Sequence, residues 1–172
     1  MEYNIDNYNV KKVLGQGGSS KVLLVEDSFG NQYALKALRR DKKYTYERGL
    51  KLLKREHCIT TRVENHPNIL NSHFSNPDGV LAFGTKQEQI MYNLIEYAEN
   101  GALSSYIRIT GPIEENIVRF MFIQMCDAIR FIHSKLVAHL DLKLENILLD
   151  KFFNIKLADL GVAHQATKMN RK

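Results

Sequence analysis

The sequence predicts an α+β protein in which an antiparallel sheet with one helix precedes a mainly helical part. Two observations lead to this prediction. The first forty residues are β-rich runs joined by short turns, and a strong helical pattern occupies residues 113–134. The chain has 172 residues, 44% of them hydrophobic and 25% charged, which is typical of a globular protein with one domain or two small lobes.

The predicted sheet has five strands. A helix over Thr45–Val63 separates the third strand from the fourth, and His66-Pro67-Asn68 breaks that helix. The segment Ser75–Gln89 is predicted as an exposed loop, because Asn76-Pro77-Asp78-Gly79 is a turn signal, with room for a short strand at Val80–Phe83. The five predicted strands are 8–15, 21–26, 32–38, 69–74 and 90–96.

The second predicted helix, Ile113–Ser134, has a wide apolar face. Apolar residues recur along it at three- and four-residue spacing, so the helix is expected to be buried on most sides. Two short strands, Ile147–Leu149 and Ile155–Leu157, are predicted after it. The residues of the helical stripe are Ile117, Met121, Met125, Ala128 and Ile132.

Charge, cysteine content and the absence of long apolar runs indicate the protein's compartment and the kinds of partner that it binds. The net charge is +5, and nine of the 24 basic residues lie between Lys36 and Arg55, a run that we interpret as a solvated helix and loop rather than a nucleic-acid face. Cys58 and Cys126 form no metal-ligand spacing, which favours a reducing compartment. The amino terminus lacks signal-peptide features, and no uncharged apolar run is long enough to predict a transmembrane helix. We expect an intracellular, cytoplasmic protein without nucleic-acid or membrane partners.

A glycine-rich segment joins the first two predicted strands. Glycines let a backbone approach a phosphate closely, although the same segment could be an ordinary hairpin turn. It leads into a strand, whereas a dinucleotide-binding glycine motif leads into a helix. The candidate phosphate-binding residues are Gly15, Gln16, Gly17, Gly18, Ser19, Ser20 and Val22.

Lys36 ends the apolar run Ala34-Leu35-Lys36 on the third predicted strand. Such a lysine could simply face solvent. It lies on the strand after that of Val22, however, from where its ammonium could reach phosphates. Glu56, on the helix that follows, is a candidate ion-pair partner, and the alternative Glu47 is too close to Lys36 in the sequence.

The strongest motif is His139-Leu140-Asp141-Leu142-Lys143-Leu144-Glu145-Asn146. Asp141 can accept a proton from, and orient, a substrate hydroxyl. Lys143 can neutralise charge on a transferring phosphoryl group. Asn146 offers an amide oxygen to Mg²⁺, which prefers oxygen ligands.

A second acidic motif, Ala158-Asp159-Leu160-Gly161, lies downstream of Asp141. Asp-x-Gly alone is a common turn. This motif, however, follows a predicted short strand and lies downstream of the previous motif, so Asp159 is a second candidate Mg²⁺ ligand. Gly161 would allow the backbone to change conformation there.

These four motifs, in this order, resemble eukaryotic-type protein kinases over nearly the whole chain. Lys143 two residues after Asp141 is similar to the serine/threonine form. The resemblance implies transfer of the γ-phosphoryl of Mg²⁺–ATP to a protein serine or threonine hydroxyl, with ATP and Mg²⁺ as cofactors. It implies an N-lobe at residues 1–96, a hinge at 97–101 and the start of a C-lobe at 102–172.

The resemblance also implies an adenine pocket. Ile95 would be the gatekeeper, and backbone groups of Glu96 and Ala98 would bond the adenine edge. Three apolar side chains would sandwich the ring: Val22, Ala34 and Leu148.

The chain departs from the family pattern in four places. Leu140 replaces the arginine that usually follows the histidine, Leu160 replaces a phenylalanine, and Thr60 occupies an apolar position. Only the short segment 162–172 follows Gly161, and it contains no Ala-Pro-Glu motif. The C-lobe is therefore expected to be incomplete, with the apolar face of Ile113–Ser134 open to water or covered by a protein partner. The alternative function is an inactive module that binds nucleotide or a partner.

Overall fold

The computed structural model describes residues 3–17, 20–38 and 45–166. The chain divides into two compact units, Met1–His57 with Ser72–Tyr97, and Cys58–Asn71 with Ala98–Lys172. The predicted α+β class, with an antiparallel sheet preceding a mainly helical part, is confirmed. The predicted lobe and hinge boundaries stay a prediction.

The first unit contains six antiparallel strands. They pair in the order β1-β2-β3-β4-β6-β5, and β1 closes the sheet into a barrel because it pairs with both β2 and β5. Because β1 is short, this closure pairs it with only two residues of β2, Tyr8 and Asn9, and two of β5, Leu81 and Ala82. The strands are β1 Asn4–Ile5, β2 Tyr8–Gln16, β3 Ser20–Glu26, β4 Gln32–Leu38, β5 Ser72–Phe83 and β6 Lys86–Glu96.

Strand alternation sorts the side chains of this sheet onto two faces. One face forms the barrel core, and its buried members are Ile5, Leu23, Val25, Leu35, Tyr92 and Leu94. The other face carries a cross-strand row in which the register pairs Val22 with Lys36, Lys36 with Asn93, and Asn93 with Ser75.

Two sequence predictions for this sheet were wrong. The segment Ser75–Gln89 is not a loop, since β5 and β6 form a long hairpin that turns only between Phe83 and Lys86. The turn signal at 76–79 is accommodated as a register shift between Asn76 and Gly79 within the strand. The strand predicted as the fourth corresponds to β5, which begins at Ser72 rather than at residue 69.

Asp6 ties β1 to the β5–β6 hairpin. Its carboxylate accepts hydrogen bonds from the Tyr92 hydroxyl at 2.6 Å, the Asn76 amide at 2.9 Å and the Val80 backbone N–H at 2.8 Å. Burial, followed by the bond to Asp6, raises the pKa of the Tyr92 hydroxyl. A Cβ added at Gly79 would lie 2.4 Å from Tyr92 Cε1, so glycine is required for this close approach.

Helix α1, Tyr46–Arg62, closely matches the predicted helix. Glu47 lies in its first turn and Arg62 in its last, both favourable to the helix dipole. In the first unit α1 packs on the sheet through Gly49, where an added Cβ would lie 3.4 Å from Met91 Sδ. The division between the two units falls within α1, after His57.

The second unit is mainly helical. Its sheets, in the order β10-β9-β7 and β11-β8, are small. The predicted strands Ile147–Leu149 and Ile155–Leu157 are confirmed as β9 and β10, whereas α2 was not predicted. The elements are β7 Gly101–Ala102, α2 Leu103–Thr110, α3 Glu115–Ser134, β8 Val137–Ala138, a 3-10 turn Leu144–Asn146, β9 Ile147–Leu149, β10 Ile155–Leu157 and β11 His164–Gln165.

The prediction that α3 is buried on most sides was wrong, whereas the expectation that its apolar face lies open to water was confirmed. Ala128 and Ile132 are fully buried, and Met121 and Met125 pack against a second cluster, but Ile117 is 46% exposed. Further apolar residues of α3 are also exposed: Val118, Phe120, Phe122 and Ile123. Among the described residues, no helix is both long and apolar enough to cross a bilayer.

Candidate active site

The glycine-rich segment begins at the end of β2 and runs into β3, its antiparallel partner. Gly17 N–H donates to the Ser20 carbonyl at 2.9 Å, and Gly15 pairs with Val22 across the strands. A Cβ added at Gly15 would meet no atom of the described chain within 4 Å. Packing within the protein therefore does not require this glycine. Gln16 is the last residue of β2, while Gly18 and Ser19 lie outside the described residues.

Lys36 and Glu56 are brought together by β4 and α1. Lys36 Nζ lies 2.7 Å from Glu56 Oε1, and the two side chains are only 15% and 14% exposed. The pair is thus a charge-assisted hydrogen bond largely shielded from water. Glu47 is nine residues earlier, about 13 Å along the helix axis from Glu56 at a rise of 1.5 Å per residue.

The predicted adenine-pocket residues are divided between the units. Ile95 and Glu96 end β6, where the register pairs Ile95 with buried Ala34 and Glu96 with Tyr33. Val22 lies on β3 and is half-buried. The second unit supplies buried Ala98 and, on β9, half-buried Leu148, which pairs with Ala102 and Lys156.

His139 connects the two acidic motifs. Its ring is buried, Nδ1 accepts from the Asp141 backbone N–H at 3.2 Å, and Nε2 lies 3.0 Å from the Ala158 carbonyl. These contacts require the neutral tautomer with the proton on Nε2, because a carbonyl can only accept. The next residue, Leu140, has a positive φ of 65° and is 67% exposed.

Asp141 is held by two side chains of its own loop. Its Oδ2 accepts from Lys143 Nζ at 2.6 Å and from Asn146 Nδ2 at 2.9 Å, and the same amide donates to the Asp141 carbonyl at 2.8 Å. The bond from Lys143, followed by that from Asn146, lowers the pKa of Asp141 below its ordinary value. The reciprocal bond raises the pKa of Lys143. At neutral pH this arrangement keeps Asp141 ionised and Lys143 charged.

A backbone hydrogen bond links Asn146 to Ala158, the residue before Asp159. Asn146 is buried, and its carbonyl accepts from the Ala158 N–H at 2.8 Å, next to Asp159. Asp159 has φ 63° and accepts at Oδ1 from Gly161 N–H at 3.3 Å. Nδ2 of Asn146 is turned to Asp141, so Oδ1 is the amide atom that could serve as a metal ligand.

These residues fit a magnesium ion that also contacts phosphates. Their carboxylate and amide oxygens are the hard donors that Mg²⁺ prefers. In the described part of the chain, no cluster of three or more His, Cys, Asp or Glu side chains forms a metal cage. Mg²⁺ is usually bound through one or two carboxylates together with substrate phosphates, so such a cage is not required.

Two polar residues that support this site were not assigned a role from the sequence. Asn68 Nδ2 donates to the Ile155 carbonyl at 3.0 Å, and Gln124 Oε1 accepts from Ile155 N–H at 2.9 Å. They hold β10, the strand that leads into Asp159. In the sequence, Asn68 indicates only the end of a helix. The signal for Gln124 is that it is polar between the apolar neighbours Ile123 and Met125 on α3. His139 was recognised within its motif but not as a link to Ala158.

Comparisons with known proteins agree with this arrangement. A family model described as the protein kinase domain matches residues 8–172. The chain is 32% identical over 169 residues to the serine/threonine-protein kinase PKH2 of Candida albicans. It is 35% identical over 159 residues to human NUAK family SNF1-like kinase 2, and 37% identical over 165 residues to CBL-interacting protein kinase 24 of Oryza sativa subsp. japonica.

The chain belongs to the protein kinase domain family, and PKH2 among these relatives is named as a serine/threonine-protein kinase. These three alignments cover 97%, 91% and 95% of the chain. They cover 17%, 23% and 34% of the relatives, so the chain spans at most about a third of the proteins it matches here.

Proposed function

We propose that the protein transfers the γ-phosphoryl group of Mg²⁺–ATP to a serine or threonine hydroxyl of a protein substrate. The observation that carries this proposal is the geometry of Asp141. Both of its side-chain hydrogen bonds are made by Oδ2, and among the described residues Oδ1 accepts none. Oδ1 is therefore the atom that would accept a hydrogen bond from the substrate hydroxyl.

The low pKa of Asp141 favours an orienting role. A carboxylate whose pKa lies below its ordinary value is a weak base, and a strong general base would need a pKa near 7. In a loose phosphoryl-transfer transition state the nucleophile must be positioned rather than deprotonated early. Holding Asp141 between Lys143 and Asn146 supplies that positioning.

The remaining residues would hold and neutralise the nucleotide. Lys36, fixed by Glu56, would bind phosphate oxygens, and Lys143 would oppose the charge that develops on the transferred group. Asn146 and Asp159 would hold Mg²⁺, which when bound neutralises phosphate charge. The glycine-rich hairpin would cover the phosphates, with Ile95, Glu96, Ala98 and the apolar residues Val22, Ala34 and Leu148 around the adenine.

The same proposal places the reaction in the cytoplasm, where ATP and Mg²⁺ are available. Both cysteines are free and exposed, which is compatible with a reducing compartment.

The test is transfer of radiolabelled phosphate from γ-labelled ATP to serine- and threonine-containing peptides by wild-type protein and the Asp141→Asn variant. Asparagine preserves the size of the side chain but removes its charge. We expect the rate of transfer to fall at least about 100-fold. Glu114→Gln, an exposed acid-to-amide change in the same unit, is the matched control and should retain wild-type transfer. Equal rates for wild type and Asp141→Asn would rule out the proposed role of Asp141.

A further inference from the structure

One side of helix α3 carries an exposed stripe that is apolar in its middle. Six residues recur along it at intervals of three or four, which places them on one face of the helix. From Glu115 to His133 this outer stripe is about 27 Å long, at a rise of 1.5 Å per residue. Near its centre Phe122 is 56% exposed in the described part of the chain, and Val118 is 44% exposed. The outer stripe consists of Glu115, Val118, Phe122, Cys126, Ile129 and His133.

An open cavity of about 480 Å³ lies beside Phe122 on the same face. Its wall is formed by side chains at positions i, i+3, i+4 and i+7 of α3, which is the spacing of a hole that receives one side chain from a facing helix. Arg130 and His133 line the end of the cavity toward the carboxyl terminus of α3. The helix therefore carries both an exposed aromatic side chain and a hole that could receive one. The four residues of the hole are Phe122, Met125, Cys126 and Ile129.

A second copy of this chain fits that surface in an antiparallel orientation. The midpoint of the outer stripe is at the level of Gln124, so a two-fold axis there places Phe122 of one copy opposite Cys126 of the other, inside the hole. The same contact then occurs twice, and the assembly closes after two copies. Each phenylalanine would leave water for an apolar cavity, and this burial is the driving force for association.

The charges beside the outer stripe favour the same orientation. Two surface ion pairs lie along one side of it, each with the acid before the base in the sequence: Glu115 with Arg119 and Asp127 with Arg130. Antiparallel packing about Gln124 brings Glu115 of one copy within about one helical turn of Arg130 of the other, and Arg119 likewise to Asp127. Parallel packing in register would instead place like charges together. Arg119 and Arg130 are 68% and 82% exposed, so both can reach a second partner.

We propose that two copies of the chain associate through antiparallel packing of their outer stripes, with Phe122 of each copy in the cavity of the other. The interface is a single pair of helices and is therefore small, so its dissociation constant is expected in the range of about 1–100 µM. This dimer is independent of the proposed phosphotransfer and would form in an inactive protein.

The test is sedimentation velocity of the full chain over about 5–200 µM, with Phe122→Glu and Phe120→Glu as a matched pair. Phe120 is 58% exposed, but it lies about 200° around the helix from Phe122. Because both side chains are exposed, neither change should prevent folding. A charge in the hole should weaken dimerisation at least about 30-fold in Phe122→Glu, whereas Phe120→Glu should dimerise like the wild type.

Cysteine cross-linking tests the position of the contact. In the proposed dimer the Cα atoms of the two Cys126 residues are about 7–9 Å apart, within reach of a short bismaleimide. Both cysteines of the chain, Cys58 and Cys126, are exposed. The Cys58→Ser variant should still give a cross-linked dimer, and the Cys126→Ser variant should give none.

Charge reversal tests the orientation of the two helices. Glu115→Lys should weaken dimerisation by about 3- to 10-fold, because the contact with Arg130 of the other copy is made twice. Adding Arg130→Glu should restore the wild-type dissociation constant. A double variant that dimerises no better than Glu115→Lys would exclude the antiparallel orientation.

Three other results would overturn the proposal. A wild-type chain that stays monomeric at about 200 µM lacks the interface. A dimer that is lost in Phe120→Glu but kept in Phe122→Glu uses another face of α3. Species that grow beyond two copies as the concentration rises indicate an open assembly instead of a closed two-fold contact.

Discussion

The ion pair between Lys36 and Glu56 allows the sharpest prediction, since one substitution tests both stability and function. Glu56→Gln keeps the size of the side chain and one carbonyl oxygen at the same place, but removes the negative charge 2.7 Å from Lys36 Nζ. The largely buried ammonium then loses its charged partner. We expect lower stability and less precise placement of the lysine against a phosphate.

The size of the effect follows from the burial of the pair. Exposed ion pairs contribute about 0–1 kcal/mol, and removal of one partner of a buried pair costs about 3–5 kcal/mol. Because the Lys36 and Glu56 side chains are only 15% and 14% exposed, their pair is closer to a buried ion pair. In the Glu56→Gln variant, however, the glutamine carbonyl oxygen still accepts a hydrogen bond from Lys36. We therefore expect the free energy of unfolding to fall by about 2 kcal/mol, or roughly 4–8 °C in Tm for a chain of this size. A displaced lysine should lower kcat/KM for ATP by about 10- to 100-fold.

The assays are thermal unfolding and steady-state phosphotransfer, with Glu47→Gln as the matched control. Glu47 is an exposed acid on the same helix, in its first turn, so its change should cost only a few tenths of a kcal/mol. Once Lys36→Met has removed the ammonium, adding Glu56→Gln should lower transfer no further. Wild-type Tm and wild-type kcat/KM in Glu56→Gln would refute the reasoning.

Two further predictions concern stability and ionisation. Gly79→Ala should lower the free energy of unfolding, measured by denaturant titration, by about 2–3 kcal/mol. The new Cβ would lie 2.4 Å from the Tyr92 ring, which cannot move away easily because Asp6 accepts a hydrogen bond from the tyrosine hydroxyl. An unchanged unfolding midpoint would contradict this contact. Lys143→Met should raise the pKa of Asp141 toward its ordinary value, because the largest cause of its lowering is removed, and the carboxyl carbon signal in an NMR titration should move accordingly. The ionised form of Asp141 would then be lost at a higher pH as the solution is acidified, and an unchanged titration would exclude the Lys143 contact.

The sequence predicted best the elements with strong local patterns. The short strands β9, Ile-Leu-Leu, and β10, Ile-Lys-Leu, are bounded by turn residues, and both were placed to the residue. Helix α3 was predicted to start too early, at Ile113 instead of Glu115. Its burial was overestimated, because periodicity shows which residues are apolar but not what covers them.

The errors in the barrel have physical reasons. Asn76 and Asp78 indicate a turn in the sequence, yet their side chains bond residues outside it. Asn76 donates to Asp6, and Asp78 accepts from Tyr46 and Gln89. These long-range bonds let β5 continue through the register shift. Strand β1 has two residues, too short for any periodicity, and closes the barrel through pairing with β5 that is distant in sequence.

The predicted contact between Lys36 and Glu56 is confirmed, but the rest of the site was predicted at the level of residue identity and not of contact. Spacing identified Asp141, Lys143 and Asn146, but not that the two neighbours both bond Oδ2 of Asp141. The spacing also could not show that the His139 ring bonds the Ala158 carbonyl, because that bond depends on the ring tautomer and on where β10 ends. The roles assigned to these residues stay predictions that depend on bound nucleotide.

The most direct test of the proposed function is the magnesium dependence of ATP binding. Calorimetric titration of the wild-type chain with ATP, in excess Mg²⁺ and then in excess EDTA, measures it, and Asp159→Asn removes one carboxylate from the proposed ion site. We expect affinity in Mg²⁺ to exceed that in EDTA by at least about 10-fold, and this difference to disappear in Asp159→Asn. Equal affinity with Mg²⁺ and EDTA, or no binding of ATP at millimolar concentration, would contradict the assignment.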